Sequence, residues 1–221
     1  MIVNVNSVLS FKTIVHRDLP SSVTFMSFFK QTDMSEIDIL AHLVLAPYII
    51  KATALISSER KVGGNQFRHA FATLGILLDY KYFSSSVLLK ASLIHDLIED
   101  VPGTNLEELR SIDQEANQVV DLVLEVTRKH CESKAAYLKN ILTKGSREAK
   151  ILKVADRISN LTDLHRDIYS DEKMLKYLNE TEQFVVPMAM EVNDDMVREL
   201  RDLITKRREL LECKVLSESL G

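Results

Sequence analysis

The sequence predicts an all-α fold, and two features of its 221 residues favour helices over sheet. Apolar residues recur at helical spacing through most of the chain after Asp33. Glycines and prolines number only 6 and 4, so the chain encodes few turns. A hydrophobic share of 46% beside 27% charged residues is ordinary for a globular domain of this length. We therefore expect one helical bundle over 33–221, preceded by a short N-terminal arm over 1–32 whose weak alternation fits a strand or an irregular segment.

Breaks in the helical pattern divide the first half of this domain. Pro47 predicts a break or kink in the first helical stretch because proline cannot continue a helix from within. Gly63 and Gly64 mark a loop in SSERKVGGNQFR, and a helix follows in HAFATLGILLDY. The next helix covers SSSVLLKASLIHDLIED, with serines suited to its N-cap, and the sequence VPG ends it.

Capping residues place the helices of the second half. Asn105 followed by Glu108 resembles a capping arrangement for a short helix. Ser133 and Ser146 are candidate N-caps for two later helices. Further helices are predicted in EANQVVDLVLEVTRK, SKAAYLKNIL and REAKILKVADRISNLTDLHRD. A long helical region follows Glu172 and is expected to break near Pro187.

Charge and cysteine content exclude several classes of protein. A formal net charge of −4 argues against binding to nucleic acid or to a membrane, because no broad cationic surface is encoded. Cys131 and Cys213 lack the spacing of a metal site or a secreted disulfide framework, which favours the reducing cytoplasm. The first 20 residues lack the basic start of a signal peptide, and no run of 18 apolar residues suggests a membrane span.

Polar side chains interrupt an otherwise apolar stretch, ASLIHDLIED over 91–100. They are His95, Asp96, Glu99 and Asp100. On a continuous helix at 100° per residue they would fall within one arc of roughly 140°. Leu88 and Leu89 lie on the same side two turns earlier, so water should not reach this face freely. Clustered buried carboxylates repel one another unless a cation joins them, and the pattern therefore indicates a metal site.

Two further residues complete a candidate ligand set. His69 opens the preceding helix, and Asp156 is an acid in another apolar helical segment, with Asn160 one turn later on the same face. Two imidazoles and two carboxylates suit Mn, Fe, Zn or a similar divalent ion. Such a set, taken from three helices, would leave two positions of an octahedron for water and a substrate oxygen.

Each of these features also has a purely structural explanation. A His-Asp pair is weak evidence by itself, and the two acids that follow it could form an acidic helix end. Asp156 could be a buried ion-pair partner of Arg157 or Lys153, and His69 could simply begin a helix. Their combination in one chain and in this order favours the metal site.

The same residues resemble a known signature. His69, the doublet His95-Asp96 and Asp156 resemble the H…HD…D pattern of HD-domain metal-dependent phosphohydrolases, with 26 positions between the histidines and 60 between the acids. LIHDLIEDVPGTNLEEL resembles the HDxxED segment of the RelA/SpoT homologue family, the hydrolases of (p)ppGpp. LVLEVTRK and ILKVADRISNLTDL resemble two further segments of that family. The resemblance covers about residues 40–190.

The resemblance implies roles for the matching residues. It implies that a Mn ion, or another divalent metal, is held by His69, His95, Asp96 and Asp156. It implies that Glu99 and Asp100 position or deprotonate the attacking water. Arg60 and Lys61 resemble the basic pair that reaches substrate phosphate, although a solvated loop pair is the alternative. Asn160 would contact the sugar or a metal-side oxygen of the substrate. Tyr177 would match a nucleotide-binding tyrosine, unless it is a packing residue.

The activity implied by the resemblance is that of a Mn-dependent (p)ppGpp 3′-pyrophosphohydrolase. Such an enzyme takes a guanine nucleotide alarmone as its substrate, releases pyrophosphate and leaves GDP or GTP. A chain of 221 residues has no room for the synthetase and regulatory domains of long family members, so a stand-alone hydrolase is expected. The alternatives are an HD-domain phosphatase for another nucleotide such as NADPH, and a catalytically inactive helical interaction domain.

Overall fold

Helices form the framework of the chain, and the all-α prediction is confirmed. The computed structural model describes residues 36–167 and 170–219, so the predicted arm over 1–32 lies outside the described residues. The helices are α1 (Glu36–His42), α2 (Ala46–Ala52), α3 (Gln66–Asp79), α4 (Ser86–Ile94), α5 (Leu97–Asp100), α6 (Leu106–Arg110), α7 (Ala116–Val126), α8 (Lys134–Lys144), α9 (Arg147–Asp163), α10 (Asp171–Glu180), α11 (Val186–Val192) and α12 (Asp194–Ser219). Short 3-10 segments cover Thr53–Ser57 and Leu164–Arg166, and a π-helical turn covers Thr181–Val185.

The predicted caps begin three of these helices. The side chain of Asn105 accepts hydrogen bonds from the backbone amides at the start of α6. Ser133 caps α8 by accepting from the amide of Ala136, and Ser146 caps α9 in the same way. Ser85 occupies the N-cap position of α4, but its side chain makes no capping bond there. The capping chemistry therefore defines the starts of α6, α8 and α9.

The two proline predictions have different outcomes. Pro47 lies in the first turn of α2, after a break that separates α1 from α2, and this prediction is confirmed. Pro187 lies in the first turn of α11, but the chain there passes from the π-helical turn into α11 without leaving the helical state. The interruption occurs at Asn193, whose extended backbone separates α11 from α12.

The helix predicted over ASLIHDLIED is not continuous, and the arc calculated for it is wrong. Helix α4 ends at Ile94 and α5 begins at Leu97, so His95 and Asp96 form the turn between them. His95 donates from Nδ1 to the carbonyl oxygen of Ser92 at 2.7 Å. In a continuing helix that oxygen would accept from the amide of Asp96, and the side chain competes with this bond.

Helix α9 is central to the core and carries one side of the site. It packs against α3, α7, α11 and α12, while α4 packs between α3 and α7. Its apolar face is fully buried, as the 0% exposure of Leu152 and Val154 shows. Because α3, α4 and α9 are rigidly packed, the side chains that they project at one end have fixed relative positions. No helix within 36–167 or 170–219 is both long and apolar enough to cross a bilayer.

Candidate metal centre and active site

The four predicted metal ligands converge on one point. His69 from α3 places Nε2 at 3.0 Å from Oδ1 of Asp156, which α9 provides. Oδ2 of Asp96 lies 3.6 Å from Nε2 of His69 and 3.3 Å from Nε2 of His95. Nε2 of His95 is 3.9 Å from Oδ1 of Asp156. Three helical segments far apart in sequence therefore bring two imidazoles and two carboxylates within contact distance.

The hydrogen bonds of the two histidines define which nitrogens face this point. Because the Ser92 carbonyl can only accept, Nδ1 of His95 carries a proton, and in the neutral imidazole Nε2 then carries the lone pair. That Nε2 atom is buried and has no hydrogen-bond partner in the described part of the chain. His69 places its own Nδ1 at 2.9 Å from Oγ of Ser159, which orients the ring in a similar way. An unpartnered imidazole nitrogen between two carboxylates fits a divalent cation.

The charges around Asp156 keep its carboxyl group ionised, which is the form that binds a metal. Burial by itself would raise its pKa, but the ammonium of Lys153 and the neighbouring histidines hold the pKa of this carboxyl well below its usual range. Lys153 donates to Oδ2 of Asp156 at 2.6 Å, one turn earlier on α9. Asp156 is therefore ionised, and the ion pair that the sequence offered as an alternative exists beside the metal cluster rather than instead of it.

Glu99 and Asp100 lie on α5, at the wall of the same cleft. Burial raises the pKa of Asp100, the charge of Asp96 adds to this, and a hydrogen bond from Nε2 of Gln66 at 2.6 Å opposes it. Glu99 lies near the guanidinium of Arg128, at 3.5 Å, and accepts from the backbone amide of the same residue at 3.4 Å. The two acids thus have different surroundings, one enclosed and one beside a cation.

Arg60 is not the solvated loop residue that the sequence allowed as an alternative. Its side chain is only 8% exposed, and it donates to Oδ1 of Asn160 at 2.7 Å and to Asp163 at 3.5 Å. Asn160 in turn donates from Nδ2 to Oδ1 of Asp156 at 2.6 Å. A chain of hydrogen bonds therefore links Arg60 to the metal cluster, while the exposed Lys61 lines the mouth of the cleft.

Tyr177, on α10, also lines this cleft, and two cations lie against its ring. Nζ of Lys134 is 4.2 Å from the ring centre, and the guanidinium carbon of Arg157 is 4.1 Å from it. Burial raises the pKa of the Tyr177 hydroxyl. Its predicted role in nucleotide binding stays a prediction, but two charged groups lie at the distance from the ring where a stacked base would lie.

All the predicted site residues except His95 line one cleft of about 760 Å³, together with side chains that sequence reasoning missed. The missed residues are Gln66, Arg128, Lys134, Lys153 and Arg157. Lys153 had a detectable signal, because it precedes Asp156 by three positions on a helix. The others carried none, since lysine and arginine are usually exposed and only packing brings these inward.

Comparisons with known proteins agree with the resemblance seen in the motifs. No family model matches the chain. It is 26% identical over 173 residues to a GTP pyrophosphokinase rsh of Brucella melitensis. The aligned region covers 75% of this chain and 22% of that protein. It is 25% identical over 171 residues to a GTP pyrophosphokinase of Myxococcus xanthus, covering 73% and 22%. The chain thus spans about a fifth of the length of these curated relatives.

A solved structure has the same fold. It comes from a study of a metazoan ortholog of SpoT that hydrolyzes ppGpp, and it matches with a TM-score of 0.64 at 23% identity. The match covers 73% of this chain and 93% of that chain. The comparisons therefore confirm the resemblance to the RelA/SpoT family and show a fold like that of its helical hydrolase.

Proposed function

We propose that this chain is a metal-dependent (p)ppGpp 3′-pyrophosphohydrolase, which releases pyrophosphate and leaves GDP or GTP. The observation that carries the proposal is the buried Nε2 of His95, which has no hydrogen-bond partner in the described part of the chain and lies beside Asp96 and Asp156. A helical core has no structural reason to bury two histidines against two acids, because such a set costs free energy until a cation binds.

The metal ligands in this proposal are His69, His95, Asp96 and Asp156, with Mn²⁺ as the expected ion. When bound, a divalent cation supplies Lewis-acid activation of water and of a phosphoryl oxygen. The chain itself supplies the orientation, because Ser92 and Ser159 fix the two imidazole rings through their Nδ1 atoms.

Glu99 and Asp100 serve the proton transfers in this scheme. Water attacks the phosphorus attached to the ribose 3′ oxygen, the bond between that phosphorus and O3′ breaks, and O3′ takes up a proton. Asp100, half-buried and with a raised pKa, is suited to accept a proton from the attacking water and return it. Glu99, which is paired with Arg128, orients the water by accepting a hydrogen bond.

The phosphates of the substrate are bound by the cationic side of the cleft. Arg60 and Lys61 face the cluster from the loop before α3, and Asn160 connects Arg60 to Asp156. These groups offset charge that develops on the attacked phosphate, where a water-excluded site strengthens the interaction. Tyr177 lies across the cleft and borders the nucleotide.

Product analysis tests the proposal directly. The purified protein is incubated with ppGpp, pppGpp or NADPH, each with Mn²⁺ and each with a chelator. We expect release of pyrophosphate from ppGpp in the presence of Mn²⁺ and no release in the presence of the chelator. The substitution Asp96→Asn should abolish this release while the helical circular dichroism signal remains. Hydrolysis of NADPH without cleavage of ppGpp would favour the other nucleotide phosphatase, and no turnover of any of the three would favour an inactive domain.

A further inference from the structure

Arg157 is a buried cation without an acidic partner. Its side chain is 1% exposed, and no carboxylate oxygen lies within 4.0 Å of it in the described part of the chain. It donates from NH1 to Oγ1 of Thr181 at 2.6 Å and to the carbonyl of Tyr177 at 3.4 Å, while Nε is buried and has no hydrogen-bond partner there. A buried guanidinium that meets only neutral oxygens and has an unused donor costs free energy, so an anion is the partner that this arrangement lacks.

Lys134 is a second cation at the same place with incomplete pairing. Its nearest carboxylate, Oε2 of Glu180, is 3.8 Å away, which is an ion-pair distance but too long for a hydrogen bond. Burial and the charge of Arg157 lower the pKa of Lys134 to about 8. Because both groups lie about 4 Å from the centre of the Tyr177 ring, their charges are at most about 8 Å apart.

Two other cations of the cleft, Lys153 and Arg60, are already paired within the chain. Lys153 is hydrogen-bonded to Asp156, and Arg60 is held by Asn160 and Asp163. Hydrogen bonds link these two groups to the metal cluster, so they serve the phosphate that is attacked. Lys134 instead belongs to α8, and Arg157 is held by Thr181 of the π-helical turn.

We propose that Lys134 and Arg157, which both lie against the ring of Tyr177, form a second anion subsite that binds the uncleaved 5′-diphosphate of the substrate. This inference rests on the proposed function. It makes the cleft specific for nucleotides that carry phosphates at both ends, and it makes Tyr177 a positioning residue for two cations rather than a stacking partner for the base. Thr181 positions Arg157, because its hydroxyl accepts from the guanidinium and donates to the carbonyl of Tyr177.

Binding of GDP in the presence of a chelator tests the subsite without hydrolysis. GDP carries only the 5′-diphosphate, and calorimetry on the full chain measures its affinity. Lys134→Gln should weaken binding by about 10- to 100-fold, the usual effect of losing a charge-assisted hydrogen bond. Lys139→Gln, an exposed lysine on the same helix, should leave the affinity unchanged. Equal GDP affinity in Lys134→Gln and the unaltered chain would overturn the subsite.

A substrate comparison and a rescue provide the second measurement. Lys134→Gln should lower kcat/KM for ppGpp by about 10- to 100-fold and leave kcat/KM unchanged for guanosine 3′-diphosphate, which lacks the 5′ phosphates. An equal loss on both substrates would contradict the assignment. Thr181→Val should weaken GDP binding and Thr181→Ser should restore it, since serine keeps the hydroxyl; failure of this rescue would remove the positioning role.

The two proposals fail in distinguishable ways. If the chain hydrolyses ppGpp but GDP affinity does not depend on Lys134, the subsite is wrong and the proposed function stands. If GDP affinity depends on Lys134 but no nucleotide 3′-diphosphate is hydrolysed, the proposed function is wrong and an anion subsite stands.

Discussion

Substitution of His95 by alanine separates the metal site from the stability of the fold. In metal-free protein the change removes the hydrogen bond to Ser92 and some packing, a loss of about 1 kcal/mol for the bond plus the contacts of the ring. It also removes a buried nitrogen without a partner, whose presence costs about 1–3 kcal/mol. These terms oppose each other, so the chelated variant should unfold within about 2 kcal/mol of the unaltered chain.

Bound Mn²⁺ should raise the Tm of the unaltered chain and not that of His95→Ala. A cation at 100 times its Kd stabilises the folded state by about 2.7 kcal/mol, which corresponds to about 5–10 °C in Tm for a chain of this size. Thermal unfolding followed by circular dichroism, with Mn²⁺ and with chelator, measures this shift. We expect the shift in the unaltered chain and its loss in His95→Ala.

An exposed histidine provides the matched control. His165 contacts the carbonyl of Thr162 at 3.2 Å and lies outside the cluster, so His165→Ala should keep the full Mn²⁺ shift. A retained shift in His95→Ala, or a shift lost equally in both variants, would refute the assignment of His95 as a ligand.

The remaining predictions concern proton transfer, pH and folding. Glu99→Gln and Asp100→Asn should each lower kcat for ppGpp by about 10²- to 10⁴-fold while keeping the Mn²⁺-induced rise in Tm, because acid–base groups are lost and ligands are not; loss of that rise would make them part of the metal site. Lys134 is charged below its pKa of about 8, so GDP affinity should fall as pH rises from 7 to 9.5; titration calorimetry of Lys134→Arg should show no such fall, because arginine stays protonated. Ser133→Ala should lower the free energy of unfolding by about 1 kcal/mol in urea, since it caps α8; Ser85→Ala, at an N-cap position without a side-chain bond, should change it by a few tenths at most.

Local chemistry made most of the fold predictable. The caps at Asn105, Ser133 and Ser146 depend on residues within three positions along the chain, and sequence reasoning identified all three. The break at His95 was missed because it arises from a side-chain bond to Ser92, which competes with the helix and leaves the apolar periodicity unchanged. Periodicity therefore predicts where a helix can form and does not detect this local competitor.

The metal ligands could be predicted from the sequence, whereas Lys134 and Arg157 could not. Histidine and aspartate are rare inside apolar segments, so His69 and Asp156 stood out against their neighbours. Lys134 and Arg157 are of residue types that are usually exposed, and only packing against Tyr177 distinguishes them. Their position against this ring is a property of tertiary structure that no local pattern encodes.

Asp156 contacts both the metal ligands and the cationic side of the cleft, and this affects how substitutions of Asp156 can be interpreted. Its carboxylate contacts His69, accepts from Lys153 and accepts from Asn160, which in turn holds Arg60. Removing it would delete a metal ligand and also leave Lys153 as a buried charge without its partner, a loss of about 3–5 kcal/mol in comparable pairs. A defect at Asp156 therefore mixes ligand loss with structural damage. His95 has a single bond to a backbone oxygen, so a defect there reports on the metal.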